Sequence, residues 1–325
     1  MAAMVAGLLM VTAPAFAAPL PELTLLSEHP VEGMTGGNLS GLAVCSGQMW
    51  TVSDRDDNVL YRLDTAQTLW RAEPEEINVP AVPESDLPAN LRSMAKLSSL
   101  VRGGSLDYEG ISCDAAGNRY VVSEANAEVL KVPVNGPPTW LKLPAALVEQ
   151  ARAKGMLQHF NAILEGLAVD PQGERLWLAA EREQRGLLAV RREGEGWRCK
   201  GSCVLRTEPG KEVLPPEIGG KTVSRDFADL SLFEGKLFTL ERSAYRICRR
   251  ALTTGKTERC WSFAQEARVP ARVYDKPFAV TEALIVDKEG AWVGIDNNFD
   301  RRADGETRPI VWRFAAPDGG WSAGK

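Results

Sequence analysis

The sequence predicts an all-β fold, a β-propeller of five or six blades with short helical insertions between blades, and three observations carry that prediction. The first is a recurring pattern of acid, glycine, short apolar strand, turn glycine, second strand and closing acid. It is fullest in Asp107-Tyr108-Glu109-Gly110-Ile111-Ser112-Cys113, followed by Gly117 and then Tyr120-Val121-Val122-Ser123-Glu124. The second is its repetition. Ser40-Gly41-Leu42 leads to Asp54, Glu165-Gly166-Leu167 to Glu181, Asp229-Leu230-Ser231 to Glu241, and Glu282-Ala283-Leu284 to Asp296. The third is spacing: anchors 41, 110, 166, 230 and 283 lie 69, 56, 64 and 53 residues apart, the length of a blade with inserted loops. The copies span nearly all of the 325 residues, so 19–325 reads as a single domain.

Taken in order, Met1 to Ala18 is apolar, uncharged and ends in Ala15-Phe16-Ala17-Ala18. This is the pattern of a cleaved signal peptide, too short for a membrane span, and it places the protein in the periplasm or outside the cell. The basic segment that usually opens such a leader is missing, which suggests a start upstream of Met1. Leu23-Thr24-Leu25-Leu26 is expected to close the ring by pairing with a C-terminal blade. The first blade runs from Leu39 to about Asp64. Residues 71–90, rich in Pro and Glu, form an exposed excursion, and Leu91 to Leu100 is expected to be helical with Leu91, Met94, Ala95 and Leu97 on one face. The second unit covers 106–134. A helix follows from Pro144 to Leu157, with Gly155 near its end. The third and fourth units extend through Val190 and through the segment 248–260, and the fifth ends at Pro309-Ile310-Val311-Trp312-Arg313-Phe314. The segments 65–105 and 262–280 leave room for a sixth blade.

Six cysteines fit an oxidising compartment. Cys248 and Cys260 flank Thr253-Thr254-Gly255, a hairpin loop that sets them opposite each other. Cys199 and Cys203 bracket a tight loop, and Cys45 and Cys113 occupy equivalent places in neighbouring units. The expected disulfides are therefore 45–113, 199–203 and 248–260; paired clusters at zinc spacing are absent. The net charge of −5 argues against nucleic acid or an anionic membrane as a main partner, and no membrane span is expected.

The first strand of each propeller blade lines the central channel, so acids at its start form a ring at one mouth. Glu109, Glu165, Asp229 and Glu282 hold that place; Asp54, Glu124, Glu181, Glu241 and Asp296 close the second strands. Converging carboxylates repel each other unless a cation or arginines sit among them, and oxygen-only ligands favour Ca²⁺. The structural alternative is that each acid bonds backbone N–H groups of the next blade. Arg55, Arg182 and Arg242 each follow a closing acid, as a bidentate anion site or as surface ion pairs. His159, six residues before Glu165, reaches toward the same mouth or is structural. Gly-x-Ser-x-Gly and His-Glu-x-x-His motifs are absent, so a serine triad or a zincin is unsupported.

Several of these motifs resemble a known family. Asp107-Tyr108-Glu109-Gly110-Ile111 with Ser123-Glu124, Asn161 with Glu165-Gly166-Leu167-Ala168, and Thr281-Glu282-Ala283-Leu284 with Asp296-Asn297-Asn298-Phe299 are similar, in order and spacing, to segments of the phytase-like family, "esterase-like activity of phytase". The resemblance covers about residues 39–314 and implies an exported β-propeller with ester or phosphoester hydrolase activity. The chain departs from the family pattern at Ala283, and at Ser40 and Asp229, which stand where the pattern has Glu. The expected function is a metal-dependent hydrolase of phosphate or carboxylic esters. In it Glu109, Glu165 and His159 are catalytic. Glu109, Glu165, Glu282 and Asp296 hold Ca²⁺, and Arg182, Arg242 and Asn297 bind a small anionic ester. Its rivals are a non-catalytic binding propeller and a calcium-dependent lactonase. The chain is expected to be monomeric.

Overall fold

The computed structural model describes residues 19–35, 37–216, 219–275 and 280–323, so the expected leader at 1–18 lies outside the described residues. The strand sequences are apolar almost without interruption because both faces of each sheet are covered. Leu176, Leu178 and Ala180 point into one core, while Trp177 and Ala179 between them point into the next. Five such cores fill the five gaps between adjacent blades.

A first strand, β1 (Leu25–Glu32), precedes the blades. Blade one is β2 (Gly41–Cys45), β3 (Gln48–Val52), β4 (Val59–Asp64) and β5 (Trp70–Glu76), followed by helix α1 (Ala89–Arg102). Blade two is β6 (Tyr108–Cys113), β7 (Arg119–Ser123), β8 (Glu128–Val132) and β9 (Thr139–Trp140), followed by α2 (Ala146–Ala153). Blade three is β10 (Leu164–Val169), β11 (Arg175–Ala180) and β12 (Gln184–Glu193), a short β13 (Gly196–Arg198), and β14 (Val204–Pro209) as its outer strand. A hairpin of β15 (Lys211–Val213) and β16 (Thr222–Ser224) leads to blade four. That blade is β17 (Asp229–Phe233), β18 (Lys236–Glu241), β19 (Arg246–Arg250) and β20 (Thr257–Ser262), and α3 (Ala264–Ala267) follows it. Blade five is β21 (Thr281–Val286), β22 (Gly290–Ile295) and β23 (Ile310–Ala315). The inner strands β2, β6, β10, β17 and β21 pack in succession, and β21 returns to β2, so the ring has five blades. The segments that left room for a sixth hold β5, α1 and α3 instead.

β1 supplies the missing outer strand of blade five. It runs antiparallel to β23, from Leu25 opposite Phe314 to Pro30 opposite Ile310, and its last two residues pair in parallel with β5. His29 stacks on Trp70 at 4.5 Å across this joint. The expected closing strand is thus present, two residues further along than the sequence suggested.

Three motif glycines have a packing reason. A Cβ on Gly41 would come within 2.9 Å of Gly110, one on Gly110 within 2.8 Å of the Glu165 carbonyl, and one on Gly166 within 2.7 Å of the Asp229 Cα. Inner strands of adjacent blades approach backbone to backbone there, which a side chain would prevent. All three expected disulfides form. Cys45–Cys113 joins the inner strands of blades one and two, Cys199–Cys203 closes its loop, and Cys248–Cys260 spans directly paired residues of β19 and β20. The face expected for α1 is not packed: Leu91 is the helix's buried residue, while Met94 and Leu97 are exposed.

Candidate active site at the acidic mouth

Three of the four acids that open inner strands share a backbone feature the sequence did not reveal. On β6, Tyr108 pairs with Ser123 and Gly110 with Val122, which leaves Glu109 as an extra residue. Glu165 is the extra residue between Leu164 and Gly166, and Glu282 between Thr281 and Ala283. Each is a β-bulge, which re-aims a side chain out of the strand's alternation. The inner strands of blades one and four, with Ser40 and Asp229 at that position, pair without a shift.

The bulged glutamates turn into one cavity of about 230 Å³ at a mouth of the ring. Its walls carry six carboxylates (Asp54, Glu109, Glu165, Glu282, Asp296, Asp300) against three guanidiniums (Arg102, Arg182, Arg242). Arg242 is the hub: it is 5% exposed, its Nε donates to Asp226 at 3.0 Å, and its two amino groups donate to Glu282 and Glu181. Glu165 lies 3.7 Å from the same guanidinium. Although burial opposes the charge, these surrounding carboxylates hold Arg242 protonated. Arg102 and Arg182 meet at Asn161, a residue with φ of +58° that Asn tolerates well. Arg102 donates to its side-chain oxygen at 3.1 Å and Arg182 to its carbonyl; each also pairs with an acid, Asp107 and Glu181 respectively. Their side chains are 22% and 32% exposed, so they face the cavity.

Two carboxylate triads stand beside the cavity, Asp54–Asp107–Glu109 and Glu124–Glu165–Glu181, each with one oxygen per residue within 4.8 Å of the others. Among the described residues, Asp107 Oδ1 and Glu181 Oε2 are buried without a hydrogen-bond partner, and the Glu109 side chain makes neither a hydrogen bond nor an ion pair. Buried acceptors are normally satisfied, so orphaned carboxylate oxygens on residues of these triads fit a hard divalent cation. Burial, then Glu165 and Asp107, push the Glu109 carboxyl well above the usual range; burial and Asp107 do the same to Glu124. Burial raises Asp107 to about 6 and Asp296 to about 7. These acidic clusters are able to bind a metal.

The structure brings Glu109, Glu165, Glu282, Asp296, Arg182 and Arg242 to one cavity, and leaves the other expected residues outside it. His159 is exposed and not part of the lining. Asn297 is 2% exposed and turned away, its amide donating to the carbonyls of Asp300 and Thr307; Asn298 lines the cavity in its place. Asp229 follows the structural alternative: its carboxylate accepts the N–H groups of Leu230 and Leu284, with Leu167 nearby, and stitches blade four to its neighbours. Glu241 is likewise structural, held down to about 2 against the cost of its burial by Arg185, Arg246 and Arg250. The site-residue expectations omitted Arg102, Asp107 and Asp226. Asp107 lies in the quoted motif, but Arg102 comes from an insertion and Asp226 from a loop, where no repeat points to them.

Residues 35–200 match the phytase-like family, described as "Esterase-like activity of phytase". No curated protein matches the chain. Among solved structures, the glutaminyl cyclase of Myxococcus xanthus is 13% identical with a TM-score of 0.51, over 92% of this chain and 99% of that one. The PQQ-bound aldose sugar dehydrogenase of Streptomyces coelicolor is 13% identical with a TM-score of 0.45, over 92% and 100%. A gluconolactonase of Xanthomonas campestris is 9% identical with a TM-score of 0.42, over 84% and 71%. At such identities the glutaminyl cyclase match speaks for the fold alone. The family match takes in blades one and two and reaches the Cys199–Cys203 loop of blade three; the motif at 281–299 lies beyond it. Since it spans half of the sequence, the chain belongs to the phytase-like family.

Proposed function

We propose that the protein is an exported, monomeric hydrolase of phosphate or carboxylic esters that works with a divalent cation, Ca²⁺ being the ion its oxygen-only donors suit. The observation that carries this reading is the pair of carboxylate triads with buried, unpartnered oxygens at the wall of one cavity. Glu109 and Glu165, with Asp54, Asp107, Glu124 and Glu181 beside them, would hold the cation. When bound, it supplies Lewis acidity toward the ester. Glu282 fixes Arg242, and Arg242 holds Glu165 at the cavity wall and Glu181 behind it.

The proton chemistry belongs to the carboxyls. Glu109, with no side-chain hydrogen bond among the described residues and a carboxyl that burial raises well above the usual range, is placed to take a proton from an attacking water. Asp296, near 7, is able to hold a proton for the leaving oxygen. Arg102 and Arg182 present a two-guanidinium edge to the anionic oxygens of the ester, which Asn161 positions. The six cysteines in disulfides support export.

The test is turnover of p-nitrophenyl phosphate and p-nitrophenyl acetate with Ca²⁺ and with EDTA. Turnover that requires the ion, is abolished by Glu109→Gln and shows a raised KM in Arg182→Ala is the expected result. Saturable ligand binding without turnover would instead make the propeller a binding module, and activity confined to lactones would make it a lactonase.

A further inference from the structure

The net charge of −5 conceals a segment of opposite sign. Helix α1 reads Ala-Asn-Leu-Arg-Ser-Met-Ala-Lys-Leu-Ser-Ser-Leu-Val-Arg: three cations, Arg92, Lys96 and Arg102, and no acid. Its amphipathicity is inverted with respect to the protein. The side facing the propeller carries Leu91 together with Ala95, Ser98 and Ser99, small or polar residues. Met94, Leu97, Leu100 and Val101 point outward and are 48%, 66%, 77% and 89% exposed. At helical spacing they form one stripe that turns away from Leu91; exposed Lys96 borders it on one side, with Arg92 next round the helix, its side chain 39% exposed and 3.6 Å from Glu84. Val82, in the loop before the helix, is also exposed. Five of the eleven large exposed hydrophobic residues in the described chain therefore fall between 82 and 101, so the patch is concentrated rather than scattered.

We propose that α1 docks the protein on an anionic phospholipid surface, the stripe entering the interface and Lys96 and Arg92 meeting the headgroups. Charge selects this occupant. Arg102 is taken up by Asp107 and Arg92 has only a long, exposed contact with Glu84, so a two-fold contact of α1 with α1 would bring Lys96 and Arg92 of the two copies together with no acid on the helix itself to relieve them. A bilayer with anionic headgroups supplies the opposite charge and an apolar layer together, the pairing to which a cationic amphipathic helix is matched. Arg102 ends the same helix and lines the acidic cavity, so docking would set that mouth at the edge of the lipid surface.

The experiment is co-sedimentation of the purified protein with vesicles of phosphatidylcholine alone and of phosphatidylcholine with phosphatidylglycerol, at low and high salt. Pelleting with the anionic vesicles, weakened by salt, is expected. Leu97→Ser/Leu100→Ser/Val101→Ser should reduce it by roughly tenfold or more. Arg92→Gln and Lys96→Gln should each cost about fivefold. All five side chains lie outside the blade cores, and an unchanged melting temperature verifies that the variants fold. Absence of pelleting with either vesicle, pelleting that the triple variant retains, or equal pelleting on neutral vesicles overturns the proposal. A dimer in light scattering that the triple variant dissolves would assign the stripe to a second copy and overturn it as well.

Discussion

Arg242→Met tests whether the guanidinium hub holds the acidic mouth together. The substitution keeps a long, flexible side chain and removes the charge that faces Glu165, Glu181, Asp226 and Glu282. Arg242 is 5% exposed, so solvent does little to replace it. Breaking a buried ion pair by removing one partner costs about 3–5 kcal/mol, because the remaining charge is stranded. For a domain of this size that is a fall in melting temperature of roughly 5–8 °C. The deficit should depend on pH with a definite sign. In the variant the stranded carboxyls have folded-state pKa values above their unfolded ones. The unfolded chain then binds fewer protons than the folded one, and stability falls as pH rises between those values. Each carboxyl that must stay protonated adds about 1.4 kcal/mol of cost per pH unit. The gap between wild type and variant, measured by calorimetry in EDTA at pH 5 and pH 8, should therefore be wider at pH 8. A fall of less than about 3 °C, or a gap that narrows as pH rises, refutes the idea that Arg242 neutralises this mouth.

The remaining predictions concern the ion and the glycines. In EDTA the wild-type protein should lose stability as pH rises from the ordinary carboxylate value of 3.8 toward about 6 to 7, the interval in which Asp107 and Asp296 are ionised in the unfolded chain and still protonated in the fold, and level off above it; Ca²⁺ should restore the loss. At a hundredfold excess over Kd the restoration is about 2.7 kcal/mol. It should weaken in Glu109→Gln and persist in Glu84→Gln, whose side chain is 89% exposed; melting indifferent to both Ca²⁺ and EDTA would refute the cation site. Gly166→Ala places a Cβ 2.7 Å from the Asp229 backbone and should destabilise by about 1–3 kcal/mol, whereas Gly235→Ala meets no atom within 4 Å and loses only to its turn conformation. Equal denaturation midpoints for the two would remove the close-approach explanation.

The ring was legible because its units repeat a two-residue alternation bounded by glycine. Gly41, Gly110 and Gly166 mark backbone contacts that no other residue allows. The disulfides were legible for the same reason, since Cys45 and Cys113 hold equivalent places in two copies. The site was legible only in part. That Glu109, Glu165 and Glu282 sit on bulges is a property of strand pairing, and their neighbours in sequence do not encode it locally. Asp229 stands at the start of an inner strand as the bulged glutamates do. Its shorter side chain on an unshifted strand reaches the N–H of Leu284 instead of the cavity. Arg242 and Arg182 both follow a closing acid, yet one is enclosed by four carboxylates and the other faces the opening; that difference depends on Asp226 and Glu282, which arrive from elsewhere in the chain.

The placement of β1 governs when the molecule is able to finish folding. Blade five lacks its outer strand until residues near the N-terminus join β23, a contact that includes Trp312 donating to Glu28 across 284 residues. Closing a loop of that length costs about 5 kcal/mol of chain entropy before any pairing is formed. A strand that precedes every blade in the chain is therefore the one that locks last. Until then β23 presents an open edge, the state in which one chain can borrow another's strand. Refolding should accordingly show a late step that orders the His29–Trp70 stack and slows with rising protein concentration as such borrowed pairings compete. Indole fluorescence that recovers in a single concentration-independent phase would argue that the ring closes together with its blades.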